Sequence, residues 1–576
     1  MRKVLPFLKP YRISMSIAWG LMLIELTVEL FHPLFMAKII DNGIMQNDLN
    51  AVMKWGGIMV GISLLGFVAG ITNSFFSSHA SQSFGYDVRA ALFKKVQAFS
   101  FNNLSRFQTS SLITRLTNDV TQIQNMVFMS LRIALRAPLL VFGGAIMALI
   151  VDPKLALILI IPIPLLIVLL IWMMTKSDRL FQFVQKKLDK VNNVMQENLI
   201  GMRLIKAFIR RKYEEKRFRH VNEDLQNQTV KALRLVEVLA PILLFVMNLA
   251  ILAILWFGSI QVNQNGMQVG KVVAIINYGF RITAALSMLT FIIMAISRGR
   301  ASSLRISEVL VTDVDLLDTK ASSSKKQITS GEVVFKNVSF AYPGTDKPVL
   351  ENVSLMVKPG ATVAVLGATG SGKSALFQLI PRLYDVNKGT IKIDGIDISK
   401  MKLEILRRQI GFVPQESILF TGTIKENIAW GKEDASIQEM MESAKDAQIH
   451  QTIEQLPQKY DTKIGQKGVN LSGGQKQRIS IARALIRKPR LLFLDDSTSA
   501  LDMKTEAKLL SALKKYDCTT FIITQKITTA MEADQIMLLH EGEIIGNGNH
   551  DQLLETSKLY QDIYQSQFAK EALSDV

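Results

Sequence analysis

The sequence predicts an α-helical transmembrane domain of six long helices fused to an α/β domain. Three observations carry that prediction. Up to about residue 300 the apolar residues fall in runs long enough for membrane helices, which need about 20 mostly apolar residues each. From Val333 onward short apolar strands alternate with helical stretches, the mark of an α/β domain. Between the two lies VTDVDLLDTKASSSKKQITSGE (311–332), polar and rich in Ser and Lys. The expected organisation is 1–310 membrane domain, 311–331 linker and 332–576 α/β domain.

Six spans are expected, at about 13–40, 52–78, 121–150, 153–175, 236–260 and 269–297. The short connections around Asn42–Asn50, Asp152–Pro153 and Gln261–Gly270 carry almost no Lys or Arg. The long ones, 79–120 and 176–235, are rich in both, as in FQFVQKKLDK and AFIRRKYEEKRFRH. Positive charge marks the cytoplasmic side, so both termini, both long loops and the α/β domain are expected in the cytoplasm of a multi-pass cell-membrane protein. The loops have few Gly or Pro and read as helical extensions of the spans. This also accounts for the formal net charge of +18 without nucleic acid as a partner. MRKVLPFLKPYR reads as an amphipathic surface segment rather than a signal peptide, because the apolar run after it is too long. Pro33, Pro138, Pro162 and Pro164 are expected at kinks. The single cysteine, Cys518, excludes an internal disulfide.

In the α/β domain, TVAVLGATGSGKSALFQLI (362–380) reads as strand, glycine loop and helix. The loop Gly367–Ser374 fits G-x-x-x-x-G-K-[ST], in which backbone N–H groups turn inward around a phosphate. The following helix adds its positive end. Lys373 would reach the β- and γ-phosphates, and the Ser374 hydroxyl would ligate Mg²⁺. Gly367, Thr369, Gly370, Ser371, Gly372, Lys373, Ser374 and Ala375 are the candidate ATP-binding residues. A second apolar strand, LLFLDD, ends in Asp495 and Asp496. In phosphate-loop ATPases such a strand delivers an Asp to Mg²⁺, and Asp495 suits that role. An Asp that merely caps the next helix is the bland alternative.

LSGGQ (Leu471, Ser472, Gly473, Gly474, Gln475) follows the loop in sequence order. Together these motifs resemble the ATP-binding cassette (ABC) transporter family, and six spans followed by one cassette resemble an exporter half-transporter. The resemblance covers the whole chain. It implies that Tyr342 in FAYPG stacks on adenine, and that Gln415 in FVPQES touches Mg²⁺ and faces the membrane domain. Ser499–Asp502 would cross the cassette interface. In this family the phosphate loop of one cassette faces the signature of another, so a second half-transporter is implied as partner. Coupling helices are expected near Ser110–Asn118 and Phe208–Lys216.

Two positions depart from the family pattern. After the strand-end Asp the family usually has Glu, which polarises the attacking water; here it is Asp496, shorter by one methylene. After TTFIIT it usually has His at the γ-phosphate; here it is Gln525. A softer departure is Gln466, where related exporters tend to have Glu. The altered residues belong to the site on this chain's own phosphate loop, whereas LSGGQ, which serves the partner's, is unaltered. The pattern resembles the degenerate-site subunit of bacterial heterodimeric multidrug exporters, with small amphiphiles as cargo and the lipid bilayer as surroundings. The alternatives are a homodimeric lipid or peptide exporter, or an ATP-binding regulatory subunit that does not pump.

Inside the first span, Glu25, Glu29 and His32 share one helix face. Ionised groups in a span are costly and read first as functional. They either line a cavity for cationic amphiphiles or pair with basic residues of another span. Asn277 and Arg281 of the last span are candidate partners.

Overall fold

The computed structural model describes residues 3–264, 266–316, 318, 328–345 and 347–574. Part of the expected linker, 317 and 319–327, lies outside the described residues. Two compact units emerge: Met1–Gln97 with Thr109–Thr312, and Ala98–Gln108 with Asp313–Val576.

Among the described residues the first unit contains six helical stretches long and apolar enough to cross a membrane: Leu5–Ile44, Leu49–Gln97, Thr109–Val151, Pro153–Ile200, Arg211–Asn263 and Val269–Val311. Each expected span falls on one of them. All are longer than a bilayer needs, because the polar stretches between spans continue the same helices. At 1.5 Å per residue, the 49 residues of the second helix reach well past the roughly 30 Å of a hydrocarbon core. Their outward faces carry large apolar side chains, among them Leu64, Phe67, Phe142, Leu165 and Trp256, each at least 60% exposed. In water such a surface would be unfavourable; against lipid tails it costs nothing. Pro33 is accommodated inside the first helix. Pro162 opens a new helical segment, where its missing N–H is no loss. The third stretch contains two π-helical turns, Arg115–Asp119 and Ser130–Ala134.

Among the described residues the second unit has twelve strands: β1 (Val333–Phe340), β2 (Leu350–Val357), β3 (Thr362–Leu366), β4 (Lys388–Ile393), β5 (Ile396–Asp397), β6 (Ile410–Val413), β7 (Gly422–Thr423), β8 (Lys463–Ile464), β9 (Leu491–Asp495), β10 (Thr519–Ile523), β11 (Gln535–His540) and β12 (Glu543–Gly548). They form a β2-β1-β4-β5 antiparallel sheet, a β12-β11-β3-β10-β9-β6 sheet and the small pair β7-β8. In the six-stranded sheet β11, β3, β10, β9 and β6 run parallel. The sequences explain that placement. LLFLD and TTFII are buried at every position, as strands covered on both faces must be. Phe377, Phe493 and Phe521 meet beneath the sheet, with Phe493 and Phe521 stacked at 5.0 Å between ring centroids. Cys518 is buried, and its thiol meets the Thr520 hydroxyl at 3.5 Å.

Ala98–Gln108, which connects the second and third helices, is part of this second unit. It carries the short helix Phe101–Ser105, closed by a capping box between Ser100 and Asn103. Asn103 is fully buried. Its amide donates to the Asp313 carbonyl and the Asp315 carboxylate at 3.0 Å each, and Phe101 lies against Tyr384 at 6.0 Å between centroids. The expectation of a coupling segment at Ser110–Asn118 is therefore displaced. Those residues already lie in the third long helix, and the segment built into the cassette unit comes earlier. The second expected segment, Phe208–Lys216, falls at a break between helices Met202–Ala207 and Arg211–Glu237.

Candidate nucleotide site and membrane charge cluster

The parallel register sets the site. Val365 of β3 pairs with Ile523 of β10, and Ile523 pairs with Asp495 of β9. Three adjacent strands thus end level. At their carboxyl ends, where open α/β sheets bind ligands, the chain places the glycine loop, the paired aspartates and Gln525. A cavity of about 340 Å³ lies there. It is lined by Tyr342, Thr369, Gly370, Gly372, Lys373, Ser374, Ala375, Gln415, Asp495, Asp496 and Gln525. Residues separated by up to 183 positions in the sequence are brought to one pocket. Val349 and Ile523 also line it; nothing but their position in the fold marks them.

Gly367 and Ser371 shape the loop without lining the cavity. Ser371 N–H donates to the Ala368 carbonyl at 3.2 Å. Gly372 shows why a glycine is required: its φ is +102°, and a Cβ there would lie 2.7 Å from the Val349 carbonyl oxygen. Lys373 Nζ donates to the Gly367 and Ala368 carbonyls at 2.8 and 2.7 Å, so the ammonium lies along the loop. Burial pulls its pKa below the ordinary lysine value, while Asp495 and Asp496 oppose the shift.

The two aspartates occupy different environments. Asp495 is buried and accepts from the Ser374 hydroxyl at 3.3 Å. Asp496 has φ +45°, a left-handed conformation that Asp tolerates better than most residues, and this turns it away from its neighbour's direction. Its N–H donates to the Ile523 carbonyl at 3.1 Å, and its carboxylate accepts from Gln415 Nε2 at 3.5 Å. Burial raises both carboxyl pKa values. Lys373 opposes the rise at each, as do the hydrogen bonds from Ser374 and Gln415. Gln525 is held through its backbone: its carbonyl accepts from Gln567 at 2.7 Å, and the next residue, Lys526, pairs with buried Glu506 at 2.5 Å. Tyr342 packs edge-on against Phe340 and Tyr384, and its hydroxyl donates to Gln378 at 3.1 Å.

None of Leu471–Gln475 lines this cavity. Ser472 caps the helix Gly473–Leu485, accepting from Gln475 N–H, while the Gln475 side chain accepts from Ser472 N–H at 2.9 Å. That reciprocal cap presents exposed Ser472 and Gly473 at the start of a 13-residue helix. Asp502 caps the next one, Met503–Leu513.

In the membrane unit Glu25 and Glu29 are ion-paired. Arg136 of the third helix reaches both, at 2.6 and 2.7 Å, and Arg281 of the sixth reaches Glu29 at 3.1 Å. The geometry is thus that of charge pairing between spans. Asn277 instead donates to its own helix at Val273. His32 lies half-buried beyond Glu29. Sequence reasoning missed Arg136, although two Arg residues in an otherwise apolar span, Arg132 and Arg136, were the available signal.

A six-helix membrane domain joined to a cassette with phosphate loop, strand-end carboxylates and signature defines a transport ATPase. The comparisons agree. Residues 16–286 match the ABC transporter transmembrane region and 350–499 the ABC transporter family; the chain belongs to the ABC transporter family, as an exporter half-transporter whose ATPase is coupled to transport. It is 57% identical over 571 residues, 99% of each chain, to the "uncharacterized ABC transporter ATP-binding protein YfiB" of Bacillus subtilis (strain 168). The "putative multidrug export ATP-binding/permease protein YgaD" of the same organism is 32% identical, covering 98% of each. The "ATP-dependent lipid A-core flippase" of Syntrophus aciditrophicus (strain SB) is 34% identical, over 92% of this chain and 88% of that one. Among solved structures, a bacterial Atm1-family ABC exporter with ATP bound superposes with a TM-score of 0.80 at 25% identity, covering 96% of this chain and 98% of that one.

Proposed function

We propose that this chain is one half of a heterodimeric exporter of drugs or other amphiphiles in the cell membrane, with its cassette in the cytoplasm. Its own ATP site hydrolyses slowly, and its signature completes the partner's site. The observation that carries the reading is the pocket itself: Asp496 and Gln525 line the same cavity as Lys373, at the positions where the family usually has Glu and His. The site fits Mg²⁺, because a hydroxyl and a buried carboxylate oxygen converge 3.3 Å apart and hard oxygen donors are what that ion takes. Ser374, Asp495 and Gln415 would hold it, and bound there it supplies neutralisation of phosphate charge.

The chain's own residues do the rest. Glycine N–H groups and Lys373 cradle phosphates, Tyr342 offers an aromatic face to adenine, and Asp496 sets the water. Asp496 is a methylene short for that task, and misplacement by about 1 Å costs on the order of a hundredfold. Gln525, a neutral amide, cannot supply the proton or charge of an imidazolium. The names of YgaD and the lipid A-core flippase support an amphiphilic cargo; the flippase also keeps a homodimeric lipid exporter as the rival.

The test is single-site turnover in the assembled transporter, with the partner's catalytic Glu replaced by Gln. Asp496→Glu is expected to raise the residual rate, and Asp496→Glu with Gln525→His to raise it further, because residues acting as a unit are not additive. Fast turnover by the chain as a clean homodimer, or no gain from the double change, would sink the proposal.

A further inference from the structure

The mid-membrane charges do not cancel. Away from the span ends, the ionised residues of the six spans are Glu25, Glu29, Arg132, Arg136 and Arg281. Three arginines face two glutamates. Arg136 and Arg281 account for both carboxylates. Arg132 is left with a hydroxyl: its Nη1 donates to Ser74 Oγ at 2.6 Å, and among the described residues no carboxylate pairs with it. An unneutralised guanidinium inside a span is expensive, and such groups mark functional sites.

Its place follows from the helix repeat. Arg132 and Arg136 are one turn apart on the third helix; Arg132 lies inside the π-helical turn Ser130–Ala134 and Arg136 just beyond it, a distortion that often accompanies functional sites. On the second helix Gly70 and Ser74 are one turn apart. A Cβ on Gly70 would sit 3.4 Å from the Glu25 carboxylate, while Ser74 holds Arg132. The third helix begins, and the second ends, at the charged extensions. Arg132 therefore lies one turn nearer those extensions than the balanced Glu25–Arg136–Glu29–Arg281 group. A headgroup arriving from that side meets Arg132 first and the paired charges second.

From this charge balance we infer that Arg132 is a specificity-determining contact for an anionic headgroup, so that the transported amphiphile is an alkyl phosphate, sulfonate or carboxylate rather than a cation. The inference rests on the exporter reading above and narrows its substrate class. A monoanion exchanged onto Arg132 neutralises the surplus charge. A cation would add to it, and the two carboxylates that would attract a cation are already engaged.

The test separates binding from transport. The full-length chain in phosphatidylcholine nanodiscs is titrated with a photoactivatable dodecyl phosphate and with its trimethylammonium and alcohol counterparts. Saturable labelling of peptides around Arg132 is expected with the phosphate alone. It should weaken about tenfold in Arg132→Gln, the scale of one charge-assisted contact, and persist in Arg132→Lys. Ser74→Ala, which leaves the guanidinium in place, should keep the labelling and guards against a folding artefact. Equal labelling by all three probes, preference for the ammonium, or no effect of Arg132→Gln overturns the inference. With the partner present, the phosphate should stimulate ATP turnover in the wild type and not in Arg132→Gln. Labelling without stimulation would make the anion a resident lipid and overturn its assignment as cargo. Failure of the exporter reading shows separately, as no transport of any dye while labelling is intact.

Discussion

The Ser374 hydroxyl donates to the Asp495 carboxylate across 3.3 Å, joining the end of the phosphate loop to the end of β9. Asp495 carries a cost for this position. Burial raises its pKa, so the ionised form is less welcome folded than unfolded. A raised acid contributes stability that is fully present below its ordinary value of 3.8 and lost as pH rises through the higher folded value. At neutral pH the whole cost applies. Asp495→Asn is expected to raise the cassette's melting midpoint at pH 7 by a few degrees, with the gain vanishing under acid. The same variant should lose Mg²⁺-dependent nucleotide binding. Thermal unfolding across pH, with and without MgATP, measures both; an unchanged midpoint at pH 7 would contradict the burial argument.

Gly474 separates the chain's two roles. A Cβ at this position would sit 3.1 Å from the Ala500 carbonyl oxygen, tighter than backbone readily allows. Gly474→Ala, or Ser472→Ala with loss of the helix cap at about 1 kcal/mol, should leave nucleotide binding at this chain's own loop intact. Turnover at the partner's site should collapse. Nucleotide binding and turnover by the assembled transporter report the two effects independently, and normal turnover in both variants would leave the signature without a role in trans.

Glu29 holds two arginines; its removal strands Arg281 and leaves Arg136 with Glu25 alone. Glu29→Gln should destabilise the membrane unit by about 1–3 kcal/mol, and Glu29→Gln with Arg281→Gln should recover part of the loss, since the second change removes one stranded charge. Unfolding of the purified protein provides the measurement. Any loss of transport that accompanies Glu29→Gln should not depend on the charge of the dye, because the carboxylate acts through its partners. A selective loss of cationic transport would return Glu29 to the cavity-lining role.

Phe521 packs against Phe493 of the neighbouring strand and Phe377 of the helix after the phosphate loop. Phe521→Ala should cost about 3–5 kcal/mol. Because Phe521 is two residues before the Ile523–Asp495 pairing, nucleotide affinity should fall along with stability. Denaturant unfolding and nucleotide titration together decide the point; a cassette equally stable without the ring would mean that the core does not position the site.

The nucleotide pocket was largely legible in the sequence because its parts are local. A glycine loop between strand and helix, or two aspartates at a strand end, can be recognised in a window of ten residues, and parallel register then aligns the strand ends. The partners of Glu25 and Glu29 were less legible. Helical periodicity puts the two acids on one face but says nothing of which helix lies opposite, and Arg136 is 107 positions away from Glu29. Asn103 and Asp315, 212 positions apart, were invisible for the same reason. A polar residue in a loop carries no mark of burial until its partner is known. The coupling segment was sought a few residues late, because Ser110–Asn118 reads as a polar interruption when it is already helix.

The bond from Asn103 to Asp315 has a practical consequence for dissecting the protein. The nucleotide-binding unit is not one continuous stretch of polypeptide, since eleven residues, Ala98–Gln108, are spliced into it from between two membrane helices. A fragment begun at residue 332 would expose Tyr384 where Phe101 covers it and would lack both members of the Asn103–Asp315 pair. Its solubility and nucleotide affinity would then describe an incomplete body. A synthetic peptide spanning 98–108, supplied in trans to a fragment begun at 313, is the minimal complement that restores the missing wall.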